Sequence, residues 1–180
     1  GFSDCTDSYV TPSRPSPSPS PNANPKTNLT APSPASKEAA LTHVSSSQQI
    51  NMETIGLACD HAGFELKQYV IDYLKEKQIS FKDYGTYSTE SCDYPDFAHA
   101  LACGIEQGEV KQGIAICGSG EGISMTLNKH QGIRAALVWD PEIAHMTRLH
   151  NDANVLAMPG RYIDTETARK IMGEFLNTPF

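Results

Sequence analysis

The chain has 180 residues, a formal net charge of −7, 39% hydrophobic residues, 12 prolines and five cysteines. That acidic balance excludes a nucleic-acid or anionic-membrane partner, since both are held through an excess of Lys and Arg. Cys5, Cys59, Cys92, Cys103 and Cys117 are odd in number and form no CxxC pair, which reads as free thiols in a reducing cytoplasm.

Residues 1–51 hold eight of the prolines and eleven serines, one glycine, and no sustained apolar periodicity. Such a segment buries too little apolar surface to offset its ordering entropy, so it reads as a disordered Ser/Pro-rich extension. It has neither the apolar h-region of a secretory signal nor the arginines of an organelle transit peptide. Met52 opens a plausible start of the folded domain, and the leading Gly1 suits a fragment, a tag or upstream translated sequence. In the extension Asp4, Asp7 and Glu38 cancel Arg14, Lys26 and Lys37, so the net charge belongs to residues 52–180. That length suits one domain with one core.

From Thr54 to Cys59 a short apolar run stops at Asp60-His61-Ala62-Gly63, the pattern of a buried strand reaching a site loop. Phe64, Leu66, Tyr69, Val70, Tyr73 and Leu74 then recur at helical spacing. Residues 79–84 read as a second strand closed by Gly85, and 86–96 as a polar lid or site wall in which Tyr94 could cover a ligand. Pro95 suits the first turn of a helix reaching about Glu106. A third strand spans Gln112–Cys117, a helix 121–129, and a fourth strand 132–138. Asp140-Pro141 cap and open a helix to His150. A fifth strand, 155–158, precedes the turn Pro159-Gly160-Arg161, and Asp164 or Thr165 caps a last helix to Leu176. Strand and helix alternate five times, which implies an α/β fold: a three-layer αβα Rossmann-like sandwich on a five-stranded parallel sheet. With the order 2-1-3-4-5, the ligand crevice lies beyond the ends of the first and third strands.

The third strand runs into Cys117-Gly118-Ser119-Gly120-Glu121-Gly122. The glycines permit a sharp turn whose successive N–H groups approach an anion, and the helix that follows points its N-terminus at the same place. A cysteine beside that positive pocket suits thiolate chemistry. Taken alone, a strand-end cysteine before a glycine turn is more often packing than chemistry. No Gly-Lys-Ser/Thr closes the loop as in a P-loop, its glycine spacing departs from the dinucleotide fingerprint, and no Arg follows as a phosphate clamp. His150 taken singly suits a helix C-terminus, and His61 is open to either reading.

Taken together, Ala58-Cys59-Asp60-His61-Ala62-Gly63, Asp93-Tyr94-Pro95, the segment Cys117 to Ser124, Asn128-Lys129, Gly132-Ile133-Arg134-Ala135 and His150-Asn151-Asp152-Ala153-Asn154 closely resemble the type B ribose-5-phosphate isomerases. That wider family includes galactose-6-phosphate and allose-6-phosphate isomerases. The resemblance implies a metal-free, cofactor-free aldose–ketose isomerisation through an enediolate, in the cytoplasm, within the non-oxidative pentose phosphate pathway. It makes Cys117 the base and assigns the oxyanion to the amides of Gly118, Ser119, Gly120, Glu121 and Gly122 with the Ser119 hydroxyl. His150 opens the sugar ring, Asp60 binds substrate hydroxyls, Tyr94 and Asn151 hold the sugar, and His61 and Arg161 contact the phosphate. Some members use a Glu base where Ile123 stands, so this chain is of the cysteine type, with Cys59, Cys92 and Cys103 structural. The family forms homodimers, some paired again, with composite sites, which is consistent with His150 and Arg161 serving a neighbour; the crossovers could also deliver both to the same end of their own sheet. It usually continues in a Gly-Gly-Arg-His segment whose arginines bind phosphate, whereas this chain stops at Asn177-Thr178-Pro179-Phe180. The resemblance therefore implies a truncated end, with about 1.5–3 kcal/mol lost per missing Arg contact. The alternatives are a six-carbon sugar-phosphate isomerase and a non-catalytic sugar-phosphate-binding domain.

Overall fold

The computed structural model describes residues 54–180; the readings made for residues 1–51 and for Met52 lie outside them. Strands and helices alternate in this span as β1 (Ile55–Cys59), α1 (Phe64–Glu76), β2 (Phe81–Asp83), α2 (Tyr94–Glu106), β3 (Gln112–Cys117), α3 (Glu121–Leu127), β4 (Ala135–Leu137), α4 (Pro141–Asn151), β5 (Val155–Pro159) and α5 (Thr165–Asn177). A short 3-10 turn, His61–Gly63, joins β1 to α1. All strand pairs are parallel. Among the described residues no helix is long and apolar enough to cross a membrane.

Period-two alternation along the strands divides the core into two unlike halves. Ile55, Leu57, Cys59, Ile114, Ile116, Leu156 and Met158 face a layer formed by α1, α4 and α5, where Val70, Leu74, Ile171, Met172 and Phe175 are also buried. The intervening Ala58, Ala115, Cys117, Val155 and Ala157 face α2 and α3, meeting Leu101, Ile123 and Leu127. Large aliphatic residues thus fill one side, and alanines allow helices to approach closely on the other. The two strand-end cysteines, Cys59 and Cys117, fall on opposite faces.

The sheet order is β2-β1-β3-β5-β4, which corrects the expected 2-1-3-4-5. Right-handed crossovers account for the helix layers. The chain moves one way along the sheet through α2 and α3, which lie on one face, and back through α1 and α4, which lie on the other. Both faces of β5 are covered along its whole length, as a central strand requires. β4 is three residues long and only partly buried, which suits an edge. It is also shorter than the expected 132–138: Asn128 binds the N–H and carbonyl of Ala135 at 2.9 and 2.8 Å and occupies that edge. β2 is likewise trimmed from the expected 79–84.

Caps follow the sequence signals. Asp140 accepts from the Glu142 N–H at 2.8 Å with Pro141 in the first turn of α4, and Asp164 accepts from the Thr167 N–H at 2.7 Å. That backbone bond stabilises the charged form and holds the Asp164 carboxyl below its usual range.

Candidate active site

Three loops converge at the C-terminal end of the sheet because β1, β3 and β5 are neighbours. Cys117 pairs in register with Pro159, and Cys59 with Ile116. The turn after β5 is bound to the glycine loop: Gly160 donates to the Cys117 carbonyl at 2.9 Å and Arg161 to the Gly118 carbonyl at 3.1 Å. A trans peptide directs its C=O and N–H oppositely. The N–H groups of Gly118 and Ser119 therefore point away from β5, toward the exit of β1. The revised strand order brings Arg161 here; in the expected order β5 would lie a further strand spacing, about 4.8 Å, from β3.

Gly120 and Gly122 leave no room for a side chain unless a neighbour moves, whereas a methyl at Gly118 would meet its neighbours at ordinary contact distance. A methyl at Gly118 would lie 3.6 Å from the Ala62 methyl and from Arg161 Cδ and Cζ, so the β1 and β5 loops both flank that residue. At Gly122 a methyl would lie 2.6 Å from Cζ of Tyr94, whose ring, at the first turn of α2, rests on the loop. Gly120 has φ +75°, and a methyl there would lie 2.5 Å from Leu137 Cδ1. Ser119 Oγ accepts from the Glu121 N–H at 3.3 Å and steadies the turn into the short helix α3; Ser119 and Glu121 are themselves exposed.

Asp60 is buried and caps the 3-10 turn: its Oδ1 accepts from the N–H groups of Ala62 and Gly63 at 2.9 and 3.0 Å. No bond engages Oδ2 among the described residues, where no fully buried side-chain polar atom is left without a partner. Oδ2 is therefore open to the crevice. His61 points Nδ1 at the backbone of Cys92, 3.1 Å from its carbonyl and 3.3 Å from its nitrogen. That contact fixes the ring and draws the 87–93 segment in as a wall, leaving Nε2 as the free nitrogen.

One residue that sequence reasoning passed over organises this end. Lys67, with 1% of its side chain exposed, binds both Asp83 oxygens at 2.6 and 2.8 Å and the Thr86 carbonyl at 2.6 Å. Thr86 in turn donates to the Cys59 carbonyl at 2.8 Å, so the cation ties β2 to the end of β1 just before Asp60. Its position on the apolar face of α1, three before Val70 and seven before Leu74, was a readable signal. Cys59 lies under the same loop, and burial pushes its thiol up to about 12. Cys117 is buried beneath the glycine turn on the other face.

His150 and Asn151 are not part of this convergence. They end α4, and α4 returns to the start of β5, at the opposite end of the sheet. From Gly113↔Val155 to Cys117↔Pro159 the register advances four residues, about 13 Å of strand. Both residues are exposed. Of the two places open to Arg161, this end of its own chain or a neighbour's site, the structure sets it beside Gly118 of its own chain. Arg148, two residues before His150, is structural, donating to Asp152 Oδ1 at 2.9 Å and to the Ala153 carbonyl at 2.7 Å. His99 and His130 meet at 2.7 Å on the surface, and His145 approaches Glu174 and Thr178, all away from Cys117.

Residues 55–180 match the family model described as Ribose/Galactose Isomerase. The chain is 42% identical over 129 residues to ribose-5-phosphate isomerase B of Escherichia coli, covering 72% of this chain and 87% of that protein. It is 48% identical to the crystal structure of a ribose 5-phosphate isomerase from Thermotoga maritima, with a TM-score of 0.70 over 71% of this chain and 88% of that one. A Mycoplasma genitalium ribose-5-phosphate isomerase B with bound ribulose-5-phosphate is 39% identical, with a TM-score of 0.67 over 71% and 85% of the two chains. The chain belongs to the ribose/galactose isomerase family.

Proposed function

We propose that this chain interconverts ribose 5-phosphate and ribulose 5-phosphate in the cytoplasm, as a homodimer or a pair of dimers with composite sites. The observation that carries it is the meeting of Cys117, the glycine loop, Asp60, His61, Tyr94 and Arg161 at one end of the sheet, in a family whose relatives bear that activity.

In the forward direction the sugar ring opens with help from His150 of the neighbouring subunit. The Cys117 thiolate then takes the proton from C2. The electron pair closes the C1=C2 bond, and O1 takes up the negative charge. The Gly118 and Ser119 N–H groups, with the rest of the loop through Gly122 and the Ser119 hydroxyl, stabilise that oxyanion where it develops. Transfer of the O2 hydroxyl proton to O1 and return of the proton from Cys117 to C1 leave the ketone and regenerate the thiolate. Asp60 Oδ2 accepts a sugar hydroxyl, Tyr94 and the partner's Asn151 hold the chain of carbons, and His61 Nε2 with the Arg161 guanidinium bind phosphate.

The dimer reading draws on exposed apolar residues of α4. Ile143, Met146 and Leu149 are 38%, 40% and 42% exposed, on and beside the helix face that carries His150 seven residues after Ile143. An apolar face continuous with a stranded site residue is what an isologous interface would cover.

The test is conversion of ribose 5-phosphate, against galactose 6-phosphate and allose 6-phosphate, by the chain as it stands and with a Gly-Gly-Arg-His-type extension. Turnover of the pentose phosphate by either form supports the assignment. Turnover of a hexose phosphate alone would replace the substrate, and binding without turnover would favour a non-catalytic domain.

A further inference from the structure

The turn that presents His150 and Asn151 is held by Arg134, to which the mechanism above gives no part. The last carbonyls of a helix have no partner inside it. In α4, Asp152 adopts φ +47° and turns the chain, and the N–H groups of Asp152 and Ala153 close on the carbonyls of Arg148 and Thr147 at 3.3 and 3.2 Å. The Asn151 carbonyl instead accepts from Arg134 Nε at 2.6 Å. The Arg134 backbone is locked to the same corner: its N–H donates to Asn154 Oδ1 at 2.8 Å, and its carbonyl accepts from the N–H groups of Asn154 and Val155 at 3.1 and 3.3 Å. Asn154 Nδ2 also donates to the Gly132 carbonyl at 2.8 Å. Beside the corner lies a cleft of about 310 Å³ lined by Asn128, Arg134, Thr147 and Asn151 among others. These hydrogen bonds fix the direction of the turn on that side.

We propose that Arg134 is a positioning residue for the isomerisation: through the Asn151 peptide it sets the orientation in which His150 and Asn151 are offered to the neighbouring subunit. The proposal rests on the reading of His150 as the ring-opening group. A guanidinium on a helix-end carbonyl also stabilises the helix, and a role limited to that would lower every activity in step with the folded fraction.

The two substrates separate these roles. Ribose 5-phosphate closes its ring between C1 and O4; opening it breaks that bond, takes the proton from O1 and gives one to O4. Ribulose 5-phosphate has its carbonyl at C2 and its O5 occupied by phosphate, so it forms no such ring and loses a C1 proton to the base directly. Ring opening is needed in one direction of entry and not in the other.

The experiment compares wild type, Arg134→Met, Arg134→Lys and His150→Ala in the active form of the chain, by turnover of ribose 5-phosphate and by uptake of solvent deuterium at C1 of ribulose 5-phosphate, both at saturating substrate. Arg134→Met is expected to slow the first about tenfold to a hundredfold, the scale of a misplaced catalytic group, and to leave the second within about twofold. His150→Ala should show the same split, and Arg134→Lys, which keeps a donor, should recover most of the loss. Equal losses in both assays, or no loss in either, would overturn the positioning role. If His150→Ala shows no split, the ring-opening reading falls and the positioning role with it. Should Arg134→Met fail to fold, judged by its thermal transition, Arg134→Gln takes its place with the same split required.

Discussion

The two ends of the sheet differ in how they hold the residues of the proposed site. At the C-terminal end, tightly bonded loops bring Cys117, the glycine amides, Asp60, His61, Tyr94 and Arg161 together around a turn crowded at Gly120 and Gly122. At the N-terminal end, His150 and Asn151 stand exposed on a turn held by Arg134 and Arg148. About 13 Å of strand separates them, more than a side chain spans. The contrast teaches that local geometry gathers the proposed base and oxyanion donors, whereas on the proposed reading the ring-opening group reaches them only from a second copy.

The sharpest way to break the contrast is to remove the base. Cys117→Ala should abolish both isomerisation and C1 deuterium exchange, at least the 10²–10⁴-fold typical of a positioned base, while substrate affinity changes by only a few-fold. Cys59→Ala, one strand away on the other face, should keep most of the activity; the reverse ranking would show that the wrong cysteine has been chosen. Next in size is Lys67→Met, which leaves Asp83 and the Thr86 carbonyl without their cation and should cost about 3–5 kcal/mol by denaturant titration. A variant of unchanged stability would remove Lys67 from the scaffold of the C-terminal end.

Gly122→Ala tests the close approach at that end. The methyl must displace Tyr94 or the loop, so KM should rise and stability should fall by about 1–3 kcal/mol, the scale of overpacking; the same change at Gly132, where a methyl meets nothing within 4 Å but φ is +77°, should leave KM alone. The smallest effect concerns pH. Burial keeps the Cys59 thiol protonated in the folded state up to about 12, whereas the unfolded chain loses that proton near 9. The unfolded state then binds fewer protons, so stability present below pH 9 declines as pH rises through that window. Denaturant midpoints between pH 8 and 11 should fall less steeply in Cys59→Ala than in wild type.

Much of this was readable in the residues, for reasons that differ by element. The alternation Ile114-Ala115-Ile116-Cys117, stopped by glycine, fixes both the strand and the face on which the thiol falls, because both are properties of local period and turn chemistry. Helix limits near Asp140 and Asp164 follow from caps. The position of β5 did not follow, because Ala135-Ala136-Leu137 and Val155-Leu156-Ala157 look alike as apolar runs; what distinguishes them is length of burial and an edge occupied by Asn128, both long-range facts. The place of Arg161 stayed open between its own sheet end and a neighbour because strand order decides which exits adjoin. Arg134 was legible only as part of a motif, since its bond to Asn151 joins residues on separate elements.

Whether the two ends meet across two subunits is tested most directly by complementation. Cys117→Ala and His150→Ala, the first inactive and the second strongly slowed toward ribose 5-phosphate, are co-expressed so that mixed dimers form. In an isologous pair each mixed dimer assembles one site with both native residues and one with neither, so random mixing should restore about a quarter of wild-type activity. Mixed dimers that remain as inactive as either parent would contradict a composite site.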